Sequence, residues 1–305
     1  MLESRGFSSA ALLTGATPRL PRLVGRATKW LRVPAGPVPE AAAAVRHEVE
    51  GHPIVALGGG RVIDSAKAIA GADGLRCAAI PTTLSGAEMT PFHRMPAGVD
   101  EWKLVRPELV VAIPSLMASQ PMPDLVASAM NALAHAIEAL YTPMATEDSD
   151  ETALRAALLI AHAFEHDEPV RHELALGALL AGYASGIAGF AVHHAVCQTI
   201  VRVGGTPHAQ TNAVMLPHFV AMMEPRAPEA IASLGVALGE TGRGRAVPCV
   251  RALAARAGVT RLGELGLERS AIPAIVDQAL QHPALGNTPD PPGAEELAAV
   301  LEGAV

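Results

Sequence analysis

Five polar residues in the second half of the chain have the types and spacings of a small-molecule site. Asn131 and His135 are four residues apart in MNALAHAIEAL, so they project from the same face of a helix. His194 and Gln198 repeat this spacing, and His208 follows a pair of glycines at a predicted helix start. A single histidine is more often an isolated surface or core residue. Several imidazoles on Ala-rich helices are harder to explain as isolated residues, because buried polar groups need hydrogen-bond partners. This pattern favours one shared polar site.

A second candidate site lies in the first half, where Gly58 to Gly60 follow the apolar run IVAL. Glycines allow a sharp turn and close approach of a ligand, and the N–H groups that open the next helix favour a phosphate. The GxGxxG spacing is absent, and a bare GGG is often only a tight turn. Pro81–Thr83 ends the next predicted strand, so both loops are expected at the carboxyl edge of one sheet. The two threonine hydroxyls would then hold a phosphate or a nicotinamide carboxamide, or else cap a helix.

Short strands alternating with helices position the glycine loop. This alternation predicts parallel pairing and a doubly wound α/β sheet, followed from Pro123 onward by helices alone. We therefore expect a nucleotide-binding α/β domain over residues 1–121 and an all-α domain over 122–305. The predicted strands are Ala10–Leu13, Trp30–Val33, His52–Leu57, Ala78–Ile80 and Leu109–Ile113, with early helices at Pro21–Gly25 and Pro39–Val49.

Composition limits the function classes. The chain has 305 residues, 50% hydrophobic and 17% charged, which excludes a mainly disordered or fibrous protein. A net charge of -7 gives no general reason to bind nucleic acid or an anionic membrane. Three widely spaced cysteines (Cys77, Cys197 and Cys249) and an N-terminus without an export signal are typical of a cytoplasmic protein.

One uncharged stretch, Leu174 to Val192, is near the length that a bilayer requires and contains a GxxxG pair. A membrane span is the formal alternative here. Its many Gly and Ala residues and the two histidines that follow favour a single buried helix that packs tightly against its neighbours.

Four motifs together resemble the iron-containing alcohol dehydrogenase superfamily, and within it the maleylacetate reductase branch. They are GGGRVIDSAKAIA, PTTLSGAEMTP, MNALAHAIEALYTP and HHAVCQTIVRVGGTPHAQTNAVMLPH, and they occur in the family's order. The resemblance implies a nucleotide-binding domain, a helical domain, an active site in the cleft between them, and a homodimer. Relative to the family, the N-terminal domain is shortened.

The resemblance also implies roles for individual residues. NAD or NADP would be bound by Gly58, Gly59, Gly60, Arg61, Asp64, Lys67, Thr82, Thr83 and Gly86. A divalent metal, Fe or Zn, would be bound by Asn131, His135, His194 and His208. The catalytic residues would be His135, His194, His208 and Gln198, the last replacing a histidine common in the superfamily.

Asn131 departs from the superfamily, which has an aspartate there. A neutral amide is a weaker ligand than a carboxylate, so a dication would bind weakly or not at all. Reduction of a conjugated C=C bond needs no Lewis acid, only hydride from the nicotinamide, hydrogen-bond donors for the enolate and a proton source. We therefore expect an NAD(P)H-dependent reductase of maleylacetate or a related unsaturated keto acid. On this hypothesis the three histidines serve as donors and attract the dicarboxylate.

Two alternatives remain open: a metal-dependent alcohol or polyol dehydrogenase, and a redox-inactive relative that acts as a binding or scaffold protein. The cofactor choice is also open. Gly15 stands where the resemblance implies an acidic residue that reads the adenosine ribose, and Arg19 lies nearby, so NADPH is permitted.

Overall fold

The computed structural model describes residues 2–15, 20–239 and 245–305, so Arg19 lies outside the described residues. The chain divides into two compact units, Met1–Ser119 and Gln120–Val305. The domain limits 1–121 and 122–305 remain a proposal.

The N-terminal unit contains a five-stranded parallel sheet with the strand order β2-β1-β3-β4-β5. Its strands are β1 (Ala11–Thr14), β2 (Lys29–Arg32), β3 (Ile54–Gly58), β4 (Cys77–Pro81) and β5 (Leu109–Val110). Its helices are α1 (Pro21–Val24), α2 (Val38–Arg46), α3 (Gly60–Asp73) and α4 (Pro114–Met117). The order reverses between β1 and β3, and ligands bind at the carboxyl ends of strands at such a switch point.

Both faces of the sheet are covered, as the predicted doubly wound α/β fold requires. Leu13 and Ala56 point to a core that includes apolar residues of α2 and α3. Their neighbours Leu12 and Val55 point to the opposite core, against which side chains of α1 and α4 pack. Because strands buried on both faces need apolar residues at every position, the central strands β3 and β4 are short continuous apolar runs, whereas the edge strand β2 carries Lys29 and Arg32.

Two strand boundaries differ from prediction by more than one residue. The third strand begins at Ile54 instead of His52, because Pro53 has no N–H to donate to a neighbouring strand. The fifth ends at Val110, since Ile113 already forms the N-cap of α4 and Pro114 follows it.

All regular elements described in the C-terminal unit are helical, which confirms the expected class. They are α5 (Met122–Ala139), α6 (Glu147–Ala163), α7 (Arg171–Ala188), α8 (Val192–Gly204), α9 (His208–Met223), α10 (Pro228–Ala237), α11 (Ala246–Ala255), α12 (Ile272–Ala279) and α13 (Ala294–Ala304). Helix α5 is central. Every residue from Leu125 to Ala139 is buried, so polar groups on it lie in the protein interior.

The buried helix predicted over Leu174 to Val192 forms as far as Ala188, but it does not continue to Val192. Helix α7 ends at Ala188, Gly189 has a left-handed φ of 83°, and α8 begins at Val192. Only glycine adopts this φ readily, which accounts for the glycine at the break. No single helix in the described ranges is long and apolar enough to cross a membrane; α7 and α8 pass that test only as a pair bent by 102°.

Candidate active site

The glycine loop and the threonine loop pack directly against each other in the N-terminal unit. The Thr82 N–H donates to the Gly58 carbonyl at 3.0 Å. A Cβ at Gly59 would lie 2.8 Å from the Thr83 methyl carbon, and one at Gly60 would lie 3.2 Å from Ser85. Larger residues would push the loops apart. The bare backbone at the start of α3 is therefore fixed in place by the contact between the loops.

This arrangement fits a phosphate-containing ligand. Helix α3 begins at Gly60 without a side-chain cap. The N–H groups of Val62 and Ile63 donate to the Gly59 carbonyl, which leaves those of Gly60 and Arg61 for a ligand. The Thr83 hydroxyl oxygen is buried and has no hydrogen-bond partner among the described residues. Arg61 is exposed on the same turn. Together these groups offer N–H, O–H and guanidinium donors to an anion.

Lys67 is committed to the protein interior. Its side chain is fully buried, and Nζ donates to the carbonyls of Ala87 at 2.8 Å, Thr90 at 3.1 Å and Phe92 at 2.7 Å. Its charge is balanced by Asp64, whose carboxylate lies 2.8 Å away. Lys67 and Asp64 therefore hold the segment that follows the threonine loop.

Two further residues shape this segment. Gly86 turns the chain there with a left-handed φ of 72°. Glu88, which sequence reasoning did not single out, is completely buried in the same segment. Neither of its carboxyl oxygens has a hydrogen-bond partner in another described residue. Burial raises the pKa of Glu88 to about 7, with the Lys67 charge opposing the shift.

In the C-terminal unit, two of the predicted histidines meet. The His135 and His194 rings stack with centroids 4.4 Å apart, and Phe190 stacks on His194 at 4.6 Å. His135 comes from α5 and His194 from α8, and both are nearly completely buried. Asn131 lies one turn before His135 on α5 and is also buried. The structure therefore brings His135 and His194 together, with Asn131 one turn away on α5 and the apolar Phe190 ring on one side.

Glu138 is the functional residue that sequence reasoning missed. Its Oε2 lies 2.6 Å from Nδ1 of His194, and its Oε1 accepts the His194 backbone N–H at 3.2 Å. A carboxylate acceptor keeps the proton on Nδ1, which leaves Nε2 of His194 as a lone-pair acceptor. The signal was present in the sequence, because Glu138 is three residues after His135 and lies on the same face of an otherwise apolar helix.

The buried imidazoles are neutral. Burial lowers the pKa of His194 and of His193 to about 3, and it lowers the pKa of His135 well below the ordinary value. A charge on His208 would lower all three further. His208 is itself exposed at the first residue of α9. His135 and His194 are therefore uncharged, so they do not attract an anionic substrate through a positive charge.

Gln198 is oriented by another histidine that sequence reasoning missed. His282 accepts the Ala284 N–H at Nδ1, 3.2 Å away, so the proton of the neutral ring is on Nε2. That nitrogen lies 3.3 Å from the Gln198 side-chain oxygen. The amide nitrogen of Gln198 is thereby left as a donor on the face of α8 that carries His194.

The predicted donor set is a weaker site for a dication than a set that contains a carboxylate. Of the groups of three His, Cys, Asp or Glu side chains in the described ranges, only Glu138, His193 and His194 bring ligand atoms within 4.8 Å of one another. Hydrogen bonds already engage this group: Glu138 bonds to His194, and His193 Nε2 lies 3.2 Å from the Asn212 carbonyl oxygen. The set of Asn131, His135, His194 and His208 contributes no carboxylate, so it lacks the charge that binds such ions strongly.

Comparison with known families agrees with this architecture. Residues 125–305 match the Fe-containing alcohol dehydrogenase family, C-terminal, and residues 25–89 match iron-containing alcohol dehydrogenase. The chain belongs to the iron-containing alcohol dehydrogenase family. Its relatives place it in the maleylacetate reductase branch. It is 35% identical over 242 residues to maleylacetate reductase 1 of Rhodococcus opacus and 32% identical over 286 residues to the Pseudomonas knackmussii maleylacetate reductase.

These alignments cover 75% and 89% of this chain, but 67% and 76% of the relatives. The maleylacetate reductase of Sphingobium indicum is 37% identical over 68% of this chain, which spans 62% of that relative. Among solved structures of the family, maleylacetate reductase from Agrobacterium tumefaciens superimposes with a TM-score of 0.84 at 28% identity. That superposition covers 99% of this chain and 91% of the other.

Replacing Glu88 with Gln changes how stability depends on pH. Because burial raises its folded-state pKa to about 7, the folded protein keeps a proton between about pH 4.5 and 7 that the unfolded chain has lost. Stability of the natural protein therefore falls as pH rises through that window. We expect Glu88→Gln to gain roughly 3 kcal/mol relative to the natural protein between pH 5 and pH 8, measured by urea unfolding. The exposed control Glu101→Gln is expected to show no such gain, and equal pH slopes for Glu88→Gln and the natural protein would contradict the account.

Replacing Glu138 with Gln is expected to reverse the tautomer of His194. The single side-chain oxygen must still accept the His194 backbone N–H, so the amide N–H₂ faces Nδ1 and drives its proton to Nε2. Imidazole ¹⁵N chemical shifts report which ring nitrogen is protonated. The control Glu173→Gln alters an exposed pair with His162 and leaves the His194 signals unchanged. Unchanged His194 shifts in Glu138→Gln would show that Glu138 does not set the tautomer.

Proposed function

We propose that this chain is an NAD(P)H-dependent reductase that converts maleylacetate, or a related unsaturated keto acid, to the saturated 3-oxo acid. The observation that carries the proposal is the polar cluster of α5 and α8, in which Asn131 takes the place of the aspartate that the resemblance implies and Glu138 accepts a hydrogen bond from Nδ1 of His194. Relatives named maleylacetate reductase support the substrate class. The glycine and threonine loops support a dinucleotide cofactor.

A nicotinamide held by the glycine and threonine loops would supply the hydride that reduces the alkene carbon β to the ketone, and the substrate's ketone oxygen would then carry the enolate charge. The protein must then stabilise that oxygen without a metal. Asn131 and Gln198 carry amide N–H₂ groups suited to this task, and the contact with His282 fixes the orientation of the Gln198 amide. Neutral donors of this kind stabilise a developing anion without requiring a buried positive charge.

A proton must then reach the enolate carbon to complete the reduction. His208 is the histidine of the set that is exposed to solvent, so it can be recharged from water after each turnover. His194 has an unprotonated Nε2, with Glu138 behind the ring to stabilise a transient imidazolium. We assign His208 as the proton donor and His194 as a relay that takes up a proton and passes it on, so that one proton in all reaches the enolate carbon.

The cofactor contact, the oligomeric state, the location and the pathway class belong to the same proposal. Hydride transfer requires the nicotinamide to reach the imidazole cluster. A homodimer, a cytoplasmic location and a role in the breakdown of aromatic compounds are proposed on the family resemblance. The enzyme would act on a small molecule and bind neither nucleic acid nor membrane.

Turnover by chelator-treated protein tests the proposal. With maleylacetate, we expect metal-free protein to oxidise NADH or NADPH, followed at 340 nm, with 3-oxoadipate formed in equal amount. His208→Gln is expected to lower kcat about 100-fold while leaving cofactor binding unchanged, because it removes the proton donor alone. The matched control is His172→Gln, an exposed histidine on α7.

Two results would contradict the proposal. Activity that appears only after Fe or Zn is restored, with alcohols as substrates, would indicate a metal-dependent dehydrogenase. Absence of NADH and NADPH binding by folded protein would indicate a binding or scaffold protein.

A further inference from the structure

The start of helix α8 is held by side chains from two other segments of the C-terminal unit. The His194 backbone N–H lies four residues after Phe190, so in a continuous helix it would donate to the Phe190 carbonyl. It donates instead to Oε1 of Glu138, at 3.2 Å. The N-cap carbonyl of α8 is that of Ala191, which accepts the Ala195 N–H at 3.0 Å. The Phe190 carbonyl therefore lies outside the helix and takes its donor from elsewhere.

Asn287 supplies that donor. It ends the short 3₁₀ turn Pro283–Asn287, and its Nδ2 donates to the Phe190 carbonyl at 2.8 Å. The same nitrogen lies 3.6 Å from the position that a Cβ on Gly189 would occupy, so Asn287 sits directly against the left-handed break between α7 and α8. The Asn287 amide thus takes the place of the N–H group that Glu138 has drawn away from Phe190.

This exchange of partners determines where the Phe190 ring lies. Phe190 precedes α8, so its side chain is free of the helix periodicity. The ring stacks on the His194 imidazole with centroids 4.6 Å apart and planes inclined by 18°. It also stacks on His135, at 5.5 Å and 25°. One hydrogen bond from Asn287 therefore keeps the aromatic ring against both imidazoles and leaves the His194 N–H to Glu138.

We propose that Asn287 is a positioning residue for His194. The inference rests on the proposed function, in which His194 relays a proton, and deepens it. Without the Asn287 donor, the Phe190 carbonyl accepts the His194 N–H, because this is the partner that helical geometry offers. Helix α8 then begins earlier, Glu138 keeps only its bond to the His194 ring, and the Phe190 ring moves away from the imidazoles. Asn287 acts through these contacts without touching the substrate or the cofactor.

Two substitutions remove the donor in different ways. Asn287→Asp keeps the shape of the side chain, and Asn287→Ala removes the donor without adding a charge. Each is expected to lower kcat with maleylacetate about tenfold and to leave the KM for NADH or NADPH unchanged, because only the proton relay is misplaced. The matched control is Gln281→Glu, an exposed residue of the same segment that undergoes the same change from amide to carboxylate. It is expected to retain the natural kcat.

Two NMR signals of histidine-labelled protein report the position of His194 without turnover. The His194 backbone N–H donates to a carboxylate in the natural protein, so its ¹H shift is expected to change in both Asn287 variants, where a carbonyl becomes the acceptor. The His194 ring protons are expected to lose the upfield shift that the stacked Phe190 ring causes. Phe190→Leu separates the two signals, because it removes the ring shift and retains the backbone bond to Asn287.

The inference is overturned if the Asn287 variants leave both His194 signals unchanged. A lower kcat with unchanged signals would place Asn287 in direct contact with the substrate or the cofactor. It is also overturned if the signals move while kcat keeps its natural value, or if Gln281→Glu lowers kcat as much as Asn287→Asp. If the natural protein shows no turnover, the proposed function fails, and the His194 signals still show whether Asn287 positions this residue.

Discussion

The chemistry of the helical unit depends on one hydrogen bond, between the carboxylate of Glu138 and Nδ1 of His194. Both side chains are buried, so neither can exchange this partner for water without a large cost. The bond fixes the ring orientation and leaves Nε2 as an acceptor. In the proposed mechanism, the amides of Asn131 and Gln198 act beside this neutral base, against which the His135 and Phe190 rings stack. Loss of this bond would leave a buried carboxyl and a buried imidazole unpaired.

Buried contacts also hold the glycine loop of the N-terminal unit, where backbone atoms line the proposed phosphate site. Gly59 and Gly60 leave no side chain between the glycine loop and Thr83, and Lys67 ties down the following segment through three carbonyl groups. A buried ammonium is expensive unless its donors and its charge are satisfied, and Asp64 supplies the balancing charge. The loop is therefore held by interior contacts, and the exposed Arg61 is left to act on a ligand.

Much of the fold followed from the sequence, because its signals are local. Short apolar runs separated by helices predicted the parallel doubly wound sheet, and the placement of Pro81–Thr83 after a strand predicted its meeting with the glycine loop. The break at Gly189 was not predicted, because an uncharged run of small residues looks continuous whether it forms one helix or two. Only the left-handed conformation at Gly189 reveals the turn.

The candidate site was predicted less completely. The histidines were found from their spacing, but their protonation states depend on burial, which the sequence does not give. Glu138 was overlooked because a glutamate in a helix is usually solvated. His282 is 84 residues from Gln198, so their contact has no local signature. Tertiary contacts of this kind decide which atom donates and which accepts.

The most direct test of the account is a neutron crystal structure of the natural protein near neutral pH. The account predicts deuterium on Nδ1 of His194, none on its Nε2, and none on either carboxyl oxygen of Glu138. Deuterium on Oε2 of Glu138 together with deuterium on Nε2 of His194 would reverse the polarity of the cluster and contradict the account.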